Sequence, residues 1–302
     1  IDKESTYSSK NKELIFKKNK KYKFIKIDIS NINRLRINIK KFNPDIIFHL
    51  AAESHVDRSI SNPDDFIYSN IVGTYNLLKI STELYKINNK FKFLFVSTDE
   101  VYGSLRLNDK KSFKEISNYK PNSPYSASKA SADLIVRSWN KTYNLPTITT
   151  HCSNNYGPWQ HPEKLIPLVI KNILSNKKIP IYGNGLNVRD WIHVDDHVNA
   201  LIKISKIKFA GQVYNIGSNN LINNLSLVKK ICNLIDLKIK NKSSSLKLIT
   251  FVEDRKGHDL KYAIDSSLLK KEVNFIAKIK FNEGLNKTID WYIKNKEWLF
   301  QK

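Results

Sequence analysis

Apolar, β-rich runs alternate with segments of helical periodicity along the first half of the chain. Lys23-Phe24-Ile25-Lys26-Ile27 reads as a strand, and Ile32 to Lys41 carries apolar residues at helical spacing. Asp45 to Leu50 is a short apolar run with Pro44 ahead of it, as expected of a buried strand. Residues 62–88 read as one long helix with Asn62 and Pro63 as its start signal. Phe93-Leu94-Phe95-Val96 is apolar throughout, as in a strand covered on both faces. A helix over 125–143 and a strand over 147–151 continue the series. Strand–helix alternation of this kind specifies a parallel sheet with right-handed crossovers.

After Gly157-Pro158 the texture changes. Short strands at 179–182, 190–193, 212–216 and 248–251 are separated by longer loops, with helices expected at 163–175, 194–205, 225–235 and 281–296. The pattern predicts an α/β chain. A Rossmann-type doubly wound parallel sheet is expected over 1–157, with later strands contributed from the C-terminal half. A smaller mixed substrate lobe, interleaved with it, is expected over 158–302. In open parallel sheets ligands bind beyond the carboxyl ends of the strands, so the residues just after each strand are the ones to inspect.

Composition narrows the function classes. A chain of 302 residues with 41% apolar content can bury a sizeable core. No apolar run approaches the roughly 20 residues that span a bilayer, and Ile1-Asp2-Lys3-Glu4 is charged where a secretory signal needs an apolar stretch. Cys152 and Cys232 form no disulfide framework and lack metal-ligand spacing, which reads as two reduced thiols in a cytoplasmic protein. The net charge of +23 would suit a nucleic-acid partner. The lysines, however, come with abundant asparagine and isoleucine, the mixture that AT-rich codons give. The densest basic run, Lys17 to Lys23, reads as a solvent loop without interleaved stacking aromatics. A solvated basic surface is the better reading. The chain has no methionine, so Ile1 is not a translation start and a processed or partial chain is expected.

The candidate chemistry lies at strand ends. The third strand runs into Ser97-Thr98-Asp99-Glu100-Val101-Tyr102-Gly103. Two adjacent carboxylates are costly there unless solvated or paired, and they can serve as one acid and one base when their environments split their pKa values. The next helix opens with Tyr125-Ser126-Ala127-Ser128-Lys129. Tyr and Lys at i and i+4 share a helix face, and the ammonium can lower the phenol's pKa toward a base near neutrality. The same spacing recurs at Tyr22/Lys26, Tyr75/Lys79 and Tyr292/Lys296; only Tyr125/Lys129 follows the acidic strand end. The run His193-Val194-Asp195-Asp196-His197 sits at a helix start, where Asp more often caps than binds metal, so no metal is expected.

These segments resemble the dTDP-glucose 4,6-dehydratases, NAD-dependent enzymes of the extended short-chain dehydrogenase type. The likeness rests on the Thr98-Asp99-Glu100 and Tyr125-x-x-x-Lys129 segments. It also rests on His49-Leu50-Ala51-Ala52-Glu53-Ser54-His55-Val56-Asp57-Arg58-Ser59, Ser153-Asn154-Asn155-Tyr156-Gly157-Pro158, Arg189-Asp190-Trp191-Ile192-His193, Tyr214-Asn215-Ile216-Gly217 and Glu253-Asp254-Arg255-x-Gly257-His258-Asp259. They run in family order over nearly the whole chain. The Tyr-x-x-x-Lys pair is shared with nucleotide-sugar epimerases, whereas the Thr-Asp-Glu triplet distinguishes the dehydratases.

The resemblance implies dehydration of a nucleoside-diphosphate glucose to its 4-keto-6-deoxy sugar. Tyr125 would take the 4-hydroxyl proton while NAD oxidises C4, with Thr98 orienting that hydroxyl. Glu100 would remove the C5 proton, Asp99 would protonate the departing 6-hydroxyl, and C6 would then be reduced. It implies NAD contacts at Asp2, Lys3, Asp28, Ile29, Leu50, Ala51, Ala52, Glu53, Ser69 (where the family usually has Thr), Tyr125, Lys129 and Asn155. Nucleotide-sugar contacts fall on Ser54, Thr98, Asn154, Lys164, Leu165, Pro180, Ile181, Tyr182, Arg189, Asn224, Arg255 and His258, with Arg189 and Arg255 suited to a diphosphate. Lys256 stands where the family usually has Pro. A homodimer through a four-helix interface is implied, formed by the helices at 62–88 and 125–143. Other readings are a related epimerase, decarboxylase or dehydratase, or a non-catalytic dinucleotide-binding fragment. The family pattern begins with a strand and a glycine loop roughly 30 residues ahead of Asp2, which this chain lacks. By itself the chain is therefore expected to fold poorly and to bind NAD weakly.

Overall fold

The computed structural model describes residues 20–241 and 243–300. In chain order the first elements are α1 (Ile32–Phe42), β1 (Ile46–His49), α2 (Val56–Ser61), α3 (Asp64–Phe66), a π-helical turn (Ile67–Val72), α4 (Gly73–Ile87) and β2 (Lys92–Thr98). A 3-10 turn (Asp99–Tyr102), α5 (Pro124–Tyr143), β3 (Thr147–Cys152), β4 (Asn154–Tyr156), α6 (Leu165–Leu174), β5 (Ile179–Tyr182), β6 (Val188–His193) and α7 (Val194–Ile204) follow. Then come β7 (Gln212–Ile216), β8 (Leu221–Asn223), α8 (Asn224–Ile239), β9 (Ile249–Val252), α9 (Ser267–Val273), α10 (Phe281–Lys294) and α11 (Lys296–Leu299). These elements divide into two compact units. The first takes the described residues up to Gly103, with Ser117–His151 and Ser205–Tyr214; the second takes Ser104–Ile116, Cys152–Ile204 and the chain from Asn215 onward.

The first unit is built on a sheet of order β1-β2-β3-β7. β1 runs parallel to β2, with Ile46 beside Lys92 and His49 beside Phe95. Phe93, Leu94 and Phe95 are all buried, which is why this strand shows no alternation in sequence. Leu35 and Ile39 of α1, Leu77, Leu78 and Leu84 of α4, and Ala132 and Val136 of α5 pack with Phe91, Phe93 and Phe95 in one core. Local signals agree with that packing. Asn31 accepts from the Arg34 backbone at the start of α1, and Asn43 ends the helix in the left-handed conformation. Ser123 and Ser126 form a reciprocal cap on α5, with Pro124 in its first turn.

Two expectations are corrected here. The helix expected over 62–88 is not continuous: Asn62 and Pro63 separate α2 from α3, and the π-helical turn follows before α4. The proline ring restricts Asn62 to a non-helical conformation. The extra residue per turn in the π segment places Ser69 and Asn70 inward. Residues 23–27 do not form a regular strand; only Lys26 has bridge geometry, while Ile27 and Ile29 bury their side chains in the core. Side-chain burial there proceeds without a continuous backbone ladder among the described residues. Among the described residues β1 is an edge strand of that sheet, with Phe48 38% exposed and the following Leu50 55%. A cavity of about 510 Å³ beside it is lined by Ile25, Ile29, Phe42, Ile47 and Leu77 among others.

The second unit has a three-stranded sheet of order β4-β6-β8, parallel then antiparallel, and a two-stranded parallel sheet of β5 and β9. β4, β8 and α9 are too short to announce themselves by periodicity. The core gathers Ile166, Val169 and Ile170 of α6, Leu227, Val228 and Ile231 of α8, and Leu285, Ile289 and Tyr292 of α10. None of the described helices is long and apolar enough to cross a membrane.

His49 gives the first unit a pH response. Its Nε2 lies 2.9 Å from Thr74 Oγ1, whose own proton goes to the Asn70 carbonyl at 2.6 Å. The ring therefore donates through Nε2, and Nδ1 is buried without a hydrogen-bond partner. Burial, aided by the nearby Lys129 ammonium, lowers the His49 pKa to about 3. The unfolded chain binds that proton near 6.5. The neutral ring's contribution to stability is thus complete above pH ~6.5 and is lost as pH falls toward ~3. Thermal melts at pH 7 and pH 4.5 are expected to show a smaller acid-induced drop in Tm for His49→Asn than for the parent.

Candidate active site

β2 delivers its last residue, Thr98, to the start of the 3-10 turn. The Thr98 hydroxyl accepts from the Glu100 backbone N–H at 3.3 Å and lies 3.4 Å from Asp99 Oδ1. Gly103 closes the turn at φ +81°, and a Cβ there would collide with the Lys120 carbonyl, so only glycine fits. Asp99 is buried at 2% exposure, whereas Glu100 is partly open. Adjacent carboxyl groups in such unequal surroundings can divide the roles of acid and base.

Tyr125 and Lys129 are both buried in the first two turns of α5, which packs against β2 and the 3-10 turn. The Lys129 ammonium donates to the Val96 carbonyl at 2.8 Å and sits 4.2 Å above the Phe95 ring. The Tyr125 ring meets Phe66 edge to face at 6.3 Å. Thr98, Asp99, Glu100, Tyr125 and Lys129 thus belong to one unit and to adjoining elements.

A residue that sequence reasoning missed fixes the start of this helix. The Asn70 amide donates to Ser128 Oγ at 2.8 Å and to the Glu53 carbonyl at 3.0 Å, while its oxygen accepts from the Glu53 N–H at 2.9 Å. Ser128 in turn donates to the Tyr125 carbonyl at 2.7 Å. Asn70 therefore clips the loop after β1 to the first turn of α5. Nothing in the helical periodicity marks it; its inward position comes from the π-helical turn.

Of the cofactor candidates, Leu50 is exposed, Ala51 and Ala52 are half-buried, and Glu53 and Ser69 are buried. Ser54 follows in the same loop and is half-buried. Small side chains on a backbone pinned at Glu53, at the carboxyl end of a parallel strand, leave room for a flat ring and a ribose. The residues present fit that end of a dinucleotide. Asp28 accepts from the Ser30 N–H at 2.8 Å, and Ile29 is buried against Gly73, where a side chain would strike it. Asp2 and Lys3 lie outside the described residues. Asn155, in the second unit, is held by His197 at 2.9 Å, and burial lowers the His197 pKa to about 4.

Among the described residues no group of three or more His, Cys, Asp or Glu could hold a metal ion. Asp196, one of the acids in the His193–His197 run, accepts from the backbone N–H groups of Lys278 and Ile279.

The remaining substrate candidates lie in the second unit. Asn154 is on β4, while Lys164 and Leu165 open α6. Pro180, Ile181 and Tyr182 are on β5, and Asn224 opens α8. Pairing of β5 with β9 brings Tyr182 beside Val252, and Arg255 then places its guanidinium 4.9 Å over the Tyr182 ring. His258 Nδ1 lies 2.6 Å from Asp254, and the Tyr182 and His258 rings stand 6.1 Å apart. Burial lowers the His258 pKa and the charges of Arg189 and Arg255 add to that, with Asp254 opposing. Arg189 stacks 4.2 Å over Tyr262 and donates to the carbonyls of Val188 and Asp259. Tyr182, Arg255 and His258 thus converge on one patch, with part of the Arg189 donor set committed to backbone.

Comparison with known proteins identifies the family. Residues 1–288 match the family described as GDP-mannose 4,6 dehydratase. The chain is 47% identical over 296 residues to the dTDP-glucose 4,6-dehydratase of Escherichia coli, covering 93% of this chain and 82% of that protein. The NAD-bound dTDP-glucose 4,6-dehydratase structure of Streptomyces venezuelae superposes with a TM-score of 0.89 at 37% identity, covering 97% of this chain and 87% of that one. The NAD complex of the Bacillus anthracis enzyme gives 0.86 at 42% identity, covering 98% and 88%. The chain belongs to the dTDP-glucose 4,6-dehydratase family, within the NAD-dependent epimerases and dehydratases of the extended short-chain dehydrogenase type.

Proposed function

We propose that the protein dehydrates a nucleoside-diphosphate glucose, dTDP-glucose as in its relatives, to the 4-keto-6-deoxy sugar with NAD as resident cofactor. The observation that carries the reading is the packing of the Thr98-Asp99-Glu100 turn against the helix that bears Tyr125 and Lys129. When bound, NAD would supply the oxidant for C4 and, after water has left, the reductant for C6, so the reaction is redox-neutral. Tyr125, as the phenolate that the Lys129 ammonium one helical turn away favours, accepts the proton of the 4-hydroxyl, which Thr98 orients. The ketone formed at C4 acidifies C5–H. Glu100, the more open carboxylate, removes that proton. Asp99, the enclosed one, protonates the 6-hydroxyl as the C6–O bond breaks and water leaves. Proton return to C5 completes the turnover.

Leu50, Ala51, Ala52, Glu53, Ser69, Tyr125 and Lys129 are assigned to the cofactor in this reading, as is Asn155. Ser54 is assigned to the sugar. Asn154, Lys164, Leu165, Pro180, Ile181, Tyr182, Arg189, Asn224, Arg255 and His258 take the nucleotide and its diphosphate. Two thiols, Cys152 and Cys232, suit a reducing, cytoplasmic compartment. A homodimer is supported by the exposed apolar residues Ile67, Tyr68 and Tyr75 on one helical segment and Leu134 and Tyr143 on α5.

Three variants separate the steps. Tyr125→Phe is expected to abolish formation of reduced cofactor, because C4 oxidation loses its base. Glu100→Gln and Asp99→Asn are expected to lower turnover by about 10²- to 10⁴-fold while reduced cofactor still forms, since they act after C4 oxidation. Product analysis by NMR together with cofactor absorbance checks this; a C4 epimer as the parent's product would refute the assignment. Leu134→Lys is expected to shift the protein from dimer to monomer in analytical ultracentrifugation, and a monomeric parent would remove the dimer from the account.

A further inference from the structure

The 3-10 turn that carries Asp99 and Glu100 is four residues long, and at its end the Gly103 N–H donates to the Glu100 carbonyl at 3.2 Å. A turn this short has little rigidity of its own. Its last residue, Tyr102, is 1% exposed, and its hydroxyl lies 2.6 Å from His151 Nδ1. His151, fully buried on β3, places Nε2 2.9 Å from Asp133 Oδ2. The same carboxylate oxygen accepts from Ser97 Oγ, just ahead of the turn, at 2.9 Å. The Tyr119 hydroxyl lies 3.1 Å from His151 Nε2. All of these residues belong to the first unit.

The hydrogen-bond directions follow from the partners. A carboxylate only accepts, so His151 Nε2 carries the proton that faces Asp133. In the neutral ring Nδ1 is then the acceptor, and the Tyr102 O–H donates to it. Asp133 stands four residues after Lys129 and eight after Tyr125, on the same face of α5. The chain Tyr102–His151–Asp133 therefore joins the far end of the acid–base turn to the helix that bears the phenol and ammonium. Ser97 joins the near end of the turn to the same oxygen.

We propose that His151 and Asp133 are positioning residues for the elimination step. They touch neither sugar nor cofactor; they hold Tyr102, and through it they fix where Asp99 and Glu100 stand relative to α5. This rests on the dehydratase reading above. Displacement by about 1 Å at such a site can cost about 10²-fold in rate.

Tyr102→Phe removes one hydroxyl and keeps the ring. The expected result is a 10- to 100-fold lower kcat, with KM changed less than about twofold and Tm within a few degrees of the parent. In single-turnover traces, reduced cofactor forms at the parent's rate and then accumulates, because elimination alone is slowed. Asp133→Asn is the independent second variant, and the same accumulation is expected. A merely structural role would lower Tm and leave kcat per folded molecule unchanged, and that outcome overturns the proposal. So does a Tyr102→Phe enzyme whose C4 oxidation and elimination are slowed equally, or one with parental kcat. If the parent itself forms no 4-keto-6-deoxy sugar, it is the dehydratase reading that fails.

Discussion

A buried ammonium must be compensated, and the way Lys129 is compensated sets the geometry of the first unit. Lys129 is 3% exposed, and its Nζ reaches across to the Val96 carbonyl near the end of β2. That bond ties α5 to the strand whose next residues are Thr98, Asp99 and Glu100. Phe93 and Phe95 are closed over by α4 and α5. The acidic turn therefore forms at the end of a strand buried against the helix that holds the phenol. Asn70 and the His151–Asp133 pair act on that same juncture, one from the loop after β1 and the other from β3.

Much of this was legible in the sequence because the signals are local. The unbroken apolar run at 93–96 marked a strand buried on both faces, and the helix read over 125–143 has a start that the reciprocal serine cap and Pro124 now explain. The Tyr-x-x-x-Lys spacing was ambiguous alone, since it occurs elsewhere in the chain. Its placement after the acidic strand end singled it out. What was not legible depends on contacts distant in sequence. Asn70 meets Ser128 across 58 residues, and Tyr102 meets His151 across 49. The π-helical turn that aims Asn70 inward lies within a stretch whose composition reads as plain helix. Residues 23–27 differ from the expected strand for a related reason: Ile27 buries its side chain in the core, but among the described residues the backbone shows bridge geometry at Lys26 alone.

The two carboxylates illustrate how identical chemistry is divided by environment. Asp99 is enclosed beside the Thr98 hydroxyl, and Glu100, one residue on, is partly open to solvent. An acid that gives up its proton only as the C6–O bond breaks, and a base that must take one from carbon, need those unequal surroundings. In the second unit environment also sets charge. Arg255 lies over the Tyr182 ring, and His258 beside it has its pKa lowered by burial and by the nearby arginines, with Asp254 opposing.

The central claim is that one unit performs oxidation at C4 and elimination across C5 and C6 on the same sugar. It is tested most directly by following the hydrogen of C4. With dTDP-glucose deuterated at C4, the account predicts that the label appears on C6 of the 4-keto-6-deoxy product. Label retained at C4, or lost to water with no transfer to C6, would contradict it.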